Sequence, residues 1–199
     1  MTTHLNSYQR AALEYIDGPL LVLAGAGSGK TSVITQKIVY LVNQCNIPSR
    51  SIFAVTFTNK AAKEMNARVN KLLTKNKSFG LTVSTFHNLG LRIIRSEVKT
   101  LGFKNGFSIL DQEDCRNLLK ELMIRHSDLD NELLDTLLTT ISNWKNSLLE
   151  PNQILNSSNS NGEKSIALLY AEYQRSLKAY NAVDFDDLIM IPVLLFRTH

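Results

Sequence analysis

Cysteine is scarce in this sequence: Cys45 and Cys115 stand far apart, with no Cys-x-x-Cys or Cys/His spacing around either. That argues against a disulfide framework or a thiolate metal site, and two reduced thiols buried in apolar helical patterns are expected instead. Glycine and proline are sparse as well, at 9 and 4 of 199 residues, which excludes collagen-like and Pro/Gly-rich chains and leaves little room for extended disorder. No apolar run approaches the roughly 20 residues needed to span a bilayer. No basic segment followed by an apolar one opens the chain either, so nothing marks it for membranes or export and a cytoplasmic location is expected. Charge of neither sign dominates; the net +4 suits a polyanionic partner without requiring one.

What is present is a rhythm. Leu20 to Leu23 is a short apolar run, too brief for a helix and ended by a glycine-rich turn, so it predicts a buried strand. Ile34, Ile38, Leu41 and Val42 then recur at helical spacing, with Pro48 beyond the end. The unit repeats: Ser51 to Phe57 suits a strand, followed by a helix with Ala62, Met65, Val69, Leu72 and Leu73 on its apolar stripe. A third strand begins at Leu81, with Leu91, Ile94, Val98 and Leu101 in the helix after it. Three strand-helix units in series predict an α/β fold with a parallel sheet.

After about Gly102 the pattern turns helical with hardly a strand. Asp111 is placed to cap a helix carrying Cys115, Leu118, Leu119 and Leu122. A longer helix has Leu134, Leu137, Ile141, Trp144 and Leu148 on one face and ends before Pro151. Asn156 to Gly162 reads as a solvated loop by composition. Ile166, Leu169, Tyr173, Leu177 and Tyr180 mark a further helix, and Asp184 to Phe196 a last one, with acids at its positive end and Pro192 inside. Asp184, Asp186 and Asp187 read better as such dipole partners than as a metal cluster, and Lys60 and Lys63 better as solvated helix charges than as phosphate ligands.

The sharpest chemical signal is Ala24-Gly25-Ala26-Gly27-Ser28-Gly29-Lys30-Thr31, ending in the Gly-Lys-Thr of a phosphate-binding loop between a predicted strand and a predicted helix. Small residues let the backbone curl so that successive N–H groups point at phosphate oxygens, and the helix that follows adds its positive end. Lys30 would reach the β and γ phosphates of a nucleotide that the loop by itself does not identify, and Thr31 would hold Mg²⁺. Ala24 stands where a glycine is usual. Upstream, Gln9 carries an amide that can pair with N6 and N7 of adenine, because it offers an acceptor and a donor side by side.

Taken together, these segments resemble the superfamily 1 DNA helicases of the UvrD/PcrA/Rep family over essentially the whole chain. LNSYQ (Leu5 to Gln9) resembles the family's adenine-reading motif, and Leu23 to Thr31 its phosphate loop. AVTFTNKAAKEM (Ala54 to Met65) and STFHNLGLRII (Ser84 to Ile94) are similar to two motifs that touch single-stranded DNA, which points at Phe57, Thr58, Asn59, Thr85, Phe86 and His87. DFDDLI (Asp184 to Ile189) resembles the segment by which the family's chain re-enters the motor domain, and ISNWKN (Ile141 to Asn146) is similar to the Rep branch.

The resemblance implies a P-loop, RecA-like parallel sheet with an inserted all-helical subdomain, truncated before the sheet is complete. It divides the chain into a motor segment over 1–105, a helical insertion over 106–181 and a return over 182–199. It further implies ATP and Mg²⁺ as cofactors, single-stranded and forked duplex DNA as partners, no membrane partner, and room for self-association on DNA. The parent activity would be ATP-driven 3′ to 5′ translocation and unwinding in replication restart or repair.

Hydrolysis in such a fold needs an acid for Mg²⁺ beside a glutamate for the attacking water. The sequence contains no Asp-Glu dipeptide, so these 199 residues are expected to bind ATP and DNA weakly without turnover. A nucleotide kinase, a GTPase, a binding module with an idle phosphate loop and a helicase-nuclease stay open as alternatives.

Overall fold

In the computed structural model, residues 5–125, 133–158 and 160–198 are described. Residues 1–4 and 199, at the ends of the expected motor segments, and Asn159 of the Asn/Ser stretch lie outside them. The chain is mixed α/β, mostly helical with short parallel strands, and forms two compact units, one up to Phe86 and one from His87 on.

The first unit runs α1 (Ser7–Glu14), α2 (Lys30–Asn43), β1 (Phe53–Thr56), α3 (Asn59–Leu72), α4 (Lys75–Ser78) and β2 (Thr82–Thr85). β1 and β2 pair in parallel, Phe53 with Thr82 through Thr56 with Thr85, as suits a strand-helix-strand connection through α3. Ile38 and Val42 of α2, Ala54 of β1 and Met65 and Val69 of α3 form one buried core. The α2 and α3 members are stripe positions expected from the 3.6-residue period, but Ile34 and Leu72, expected on the same stripes, are exposed.

One expectation here is corrected. Residues 20–23 have no strand pairing, and Leu21 and Leu23 are more than four-fifths exposed. Their apolar run expresses a preference for burial, but a strand exists only where a partner ladder satisfies its backbone, and among the described residues β1 and β2 pair only with each other. Cys45 is also only half-buried, just past the end of α2, whereas Cys115 is buried as expected.

The second unit contains α5 (Phe86–Ser96, whose first residue closes the first unit), β3 (Ser108–Ile109), α6 (Gln112–Arg125), α7 (Leu134–Asn146), α8 (Pro151–Ser157), α9 (Asn161–Ala179), β4 (Ala182–Val183) and α10 (Asp187–Thr198). Its main core joins Leu118, Leu119 and Leu122 of α6, Leu137 and Ile141 of α7, and Leu169, Tyr173 and Leu177 of α9. Asp111 caps α6 as expected, its Oδ1 accepting from Glu113 N and Asp114 N at 2.9 Å each. Trp144 is partly buried against this core, its ring 6.0 Å from that of Tyr170.

Several sequence expectations are corrected in this unit. The stretch after Gly102 is not all-helical, because β3 pairs in parallel with β4, Ser108 with Ala182 and Ile109 with Val183. The third-unit helix α5 stops at Ser96, so Val98 and Leu101 pack from the turns beyond it. The Asn/Ser stretch is mostly helical: α8 starts with Pro151 at its first position and a reciprocal Glu150/Gln153 cap, runs to Ser157, and α9 restarts at Asn161. A proline at the first helical position and a cap outweigh the loop-like composition of its last turn. The last helix begins at Asp187 rather than Asp184.

Gly90 fixes how α5 meets α10. A side-chain carbon there would collide with the backbone carbonyl of Leu188, so only glycine permits this approach.

Candidate functional site

The loop from Ala24 to Gly29 is exposed throughout. Gly27 and Gly29 have φ of 75° and 82°, in the left-handed region that other residues avoid. Ala24 is not among the positive-φ residues, which explains why alanine is tolerated at that position. Gly29 caps α2 through its backbone alone, with no side-chain cap. First-turn N–H groups of a 14-residue helix are therefore left for a partner beside the positive end of its dipole.

Lys30 opens α2 and folds back over the loop, its Nζ donating to Ala24 O at 2.8 Å and Gly25 O at 2.6 Å. Ser28 Oγ closes the turn on Gly25 O at 2.8 Å. Thr31 is exposed at the next helical position, and its carbonyl accepts from Thr35 Oγ1 at 2.8 Å.

Gln9 joins this loop from α1. Its Oε1 accepts from Asn6 N at 2.9 Å, closing a capping box, and its Nε2 donates to Ser28 O at 2.9 Å. An amide has two lone pairs and two N–H bonds, so one acceptor and one donor remain, which is the pair an adenine edge needs. A mainly apolar cleft of about 820 Å³ opens beside it, lined by Tyr8, Gln9, Leu20, Val22, Leu23 and Ile34 among others.

The second group of candidate residues lies where β1 and β2 end. Because the strands are parallel and in register, Phe57 and Phe86 leave the same edge of the sheet. Phe57 is 98% exposed and Phe86 57%, so neither is a core residue. Thr58 caps α3, its Oγ1 accepting from Ala61 N at 3.1 Å. Buried Thr85 donates from Oγ1 to Asn59 Oδ1 at 3.5 Å. Thr58 and Thr85 thus shape the edge, while Phe57, Asn59 and Phe86 are exposed on it. His87, in the second unit, is exposed and meets Phe185 edge-on, ring centroids 6.2 Å apart at 72°.

Sequence reasoning missed the polar centre of the second unit. Lys145 is buried, its Nζ 2.6 Å from Asp184 Oδ2 and 2.9 Å from Asp187 Oδ1. Tyr173 donates to Asp184 Oδ2 at 3.0 Å. Asp184 Oδ1 accepts from Asp187 N at 2.9 Å and Asp187 Oδ2 from Asp184 N at 3.3 Å. Its traces in the sequence were ISNWKN, which bears the lysine, and DFDDLI, which bears both acids, but nothing in either joined them.

Burial and the neighbouring charges together set the titration of this cluster. Burial works against the Lys145 ammonium, but Asp187 and Asp184 outweigh it and hold the lysine above its ordinary range. Two carboxylates share one cation, so burial and the Asp184 charge push Asp187 up despite Lys145. Burial, then Asp184, also raises the Tyr173 phenol far above its usual value. Burial pushes the Cys115 thiol up to about 11.

Residues 5–199 match the UvrD/REP helicase N-terminal domain. The chain is 50% identical over 193 residues to the ATP-dependent DNA helicase Rep of Escherichia coli, covering 97% of this chain and 29% of that protein. It is 47% identical over 195 residues to Rep of Buchnera aphidicola subsp. Schizaphis graminum, covering 98% and 30%. To the helicase PcrA of Leuconostoc citreum it is 40% identical over 200 residues, covering 100% and 27%. The chain thus spans less than a third of the curated relatives it matches. With a domain match over residues 5–199 and identities of 40–50% across nearly the whole chain, the chain belongs to the family of the UvrD/REP helicase N-terminal domain.

Proposed function

We propose that this chain is the ATP-binding and DNA-contacting front part of an ATP-dependent 3′ to 5′ DNA helicase that translocates on single strands and unwinds forked duplex in replication restart or repair. The observation that carries the reading is the pairing of two devices in one unit: the Lys30 loop with Gln9 beside it, and the exposed Phe57/Phe86 edge.

ATP would lie with its phosphates on the backbone of Ala24, Gly25, Ala26, Gly27, Ser28 and Gly29, its adenine edge on Gln9, and its terminal phosphates on Lys30. The donor set fits, because the glycines hold the curl, α2 lacks a side-chain cap, and Lys30 keeps one N–H beyond the two it gives to the loop. Thr31 would hold Mg²⁺, which neutralises phosphate charge when bound. Phe57 and Phe86 would stack on bases while Thr58, Asn59, Thr85 and His87 shape or contact the strand, giving binding without sequence choice.

The RecA-like sheet, the division into 1–105, 106–181 and 182–199, a cytoplasmic location and self-association on DNA belong to the same reading. With no Asp-Glu dipeptide in 199 residues, this chain should bind ATP and DNA weakly and not turn ATP over. The test is direct: equilibrium binding of a fluorescent ATP analogue, abolished by Lys30→Ala and displaced by ATP better than by GTP. Steady ATP hydrolysis lost with Lys30→Ala would sink the claim of no turnover, and equal displacement by GTP would sink the adenine assignment.

A further inference from the structure

Lys145 is an anomaly for a residue whose only task is stability. Burying an ammonium costs several kcal/mol before its partners compensate, and apolar side chains of similar volume often serve a core as well or better. A buried pair is better explained by what it fixes in place. Here it fixes the short turn between β4 and α10. Asp184 and Asp187 clasp each other's backbone N–H groups, closing the turn, and Lys145 bridges both carboxylates from α7. The next residue of α7, Asn146, donates from Nδ2 to Asp186 Oδ1 at 3.2 Å. Adjacent residues of one helix therefore hold three of the turn's four members.

The member left over is Phe185, which is 54% exposed and meets the His87 ring edge-on. We propose that Lys145 and Asn146 are positioning residues for DNA binding: they anchor the 184–187 turn so that Phe185 braces the His87 imidazole in one orientation. The inference rests on the DNA reading above. Neither residue needs to touch DNA, and their effect passes through the turn to one ring.

The test uses the 199-residue chain and two readouts, the His87 imidazole proton resonance by NMR and the affinity for oligothymidylate by fluorescence anisotropy. Phe185→Leu supplies the His87 resonance with the brace removed. Lys145→Met is expected to move the resonance toward that value and to weaken oligothymidylate by about threefold or more, the range for residues that act on a ligand through others. Retention of the ATP analogue should not change. Asn146→Ala, which leaves no buried charge behind, should shift both readouts the same way by less, and it decides alone if Lys145→Met lacks the wild-type far-UV spectrum. Folded variants with the wild-type His87 resonance overturn the proposal, as does a shifted resonance with unchanged DNA affinity. If the wild type fails to bind oligothymidylate, the DNA reading falls and the positioning role falls with it, while the resonance still reports whether the anchor holds the ring.

Discussion

Lys145 and Asp184 meet in the core of the second unit, Nζ to Oδ2 at 2.6 Å, one side chain wholly removed from solvent and the other nearly so. Asp187 shares the same ammonium. Removing the cation leaves two carboxylates buried without compensation, and breaking a buried pair from one side typically costs about 3–5 kcal/mol. Lys145→Met should therefore lower the urea midpoint strongly at pH 7, with little change in the slope of the transition.

The pH dependence of that deficit has a definite sign. Asp187 is held above its ordinary carboxylate value, so the folded state binds its proton more tightly than the unfolded chain does. Such a group adds stability below the unfolded pKa and loses it as pH rises through the folded one. Without Lys145 the upward push is larger, so the gap between Lys145→Met and wild type should narrow as pH falls from 7 toward 4. At the other end, Lys145 is raised above a free lysine, so it contributes stability below the unfolded lysine pKa that is lost as pH climbs through the folded one. Wild type should lose stability more steeply than Lys145→Met beyond the lysine range, by up to about 1.4 kcal/mol per pH unit. Urea titrations of both proteins at several pH values check both limbs.

Gly90 offers a test of close packing. Replacing a mid-helix glycine by alanine usually stabilises by about 0.5–1 kcal/mol. At this position the new carbon meets the Leu188 carbonyl, so α5 and α10 must part or the backbone must bend. Gly90→Ala should destabilise by about 1–3 kcal/mol, the usual cost of overpacking, read from thermal or urea unfolding. A stabilised variant would show that this contact yields freely.

What could be read in the sequence was set by the range of the physics. The curl of the 24–29 loop and the start of α2 at Lys30 were legible because both are local. Most of the α2 and α3 stripes was legible for the same reason, Ile34 and Leu72 being the exposed exceptions. Pairing at a distance was not. β3 and β4 are two residues each and lie more than seventy positions apart, and nothing local in Ser108–Ile109 names Ala182–Val183 as partner. Leu20 to Leu23 misled because apolar character says what prefers burial and not what will cover it. Lys145 was hidden most completely, since a lysine on a helix reads as solvated until the fold brings Asp184 and Asp187 beneath it.

The two thiols should separate cleanly by reactivity. Cys115 is buried and its thiol is pushed up to about 11, so at pH 8 it is almost wholly protonated as well as shielded. Cys45 is half-buried near the surface. Iodoacetamide at pH 8 should modify Cys45 in the native protein and Cys115 only after denaturant is added, with peptide mass spectrometry as the measurement. Equal native labelling of both would place Cys115 outside the core.

Phe57 provides the sharpest division between packing and binding. A core phenylalanine truncated to alanine costs about 3–5 kcal/mol of stability, but Phe57 is 98% exposed and has almost no packing to lose. Phe57→Ala should leave the unfolding midpoint within about 0.5 kcal/mol of wild type, as surface substitutions usually do. If a base stacks on the ring, the same variant should bind oligothymidylate more weakly by about 1–3 kcal/mol, a loss of roughly fivefold to more than a hundredfold. The salt dependence should barely change, because no phosphate contact has been removed. Fluorescence anisotropy at two salt concentrations, beside a urea melt, separates the outcomes. Unchanged DNA affinity with unchanged stability would leave the exposed ring without the role assigned to it, and lost stability would return it to the core.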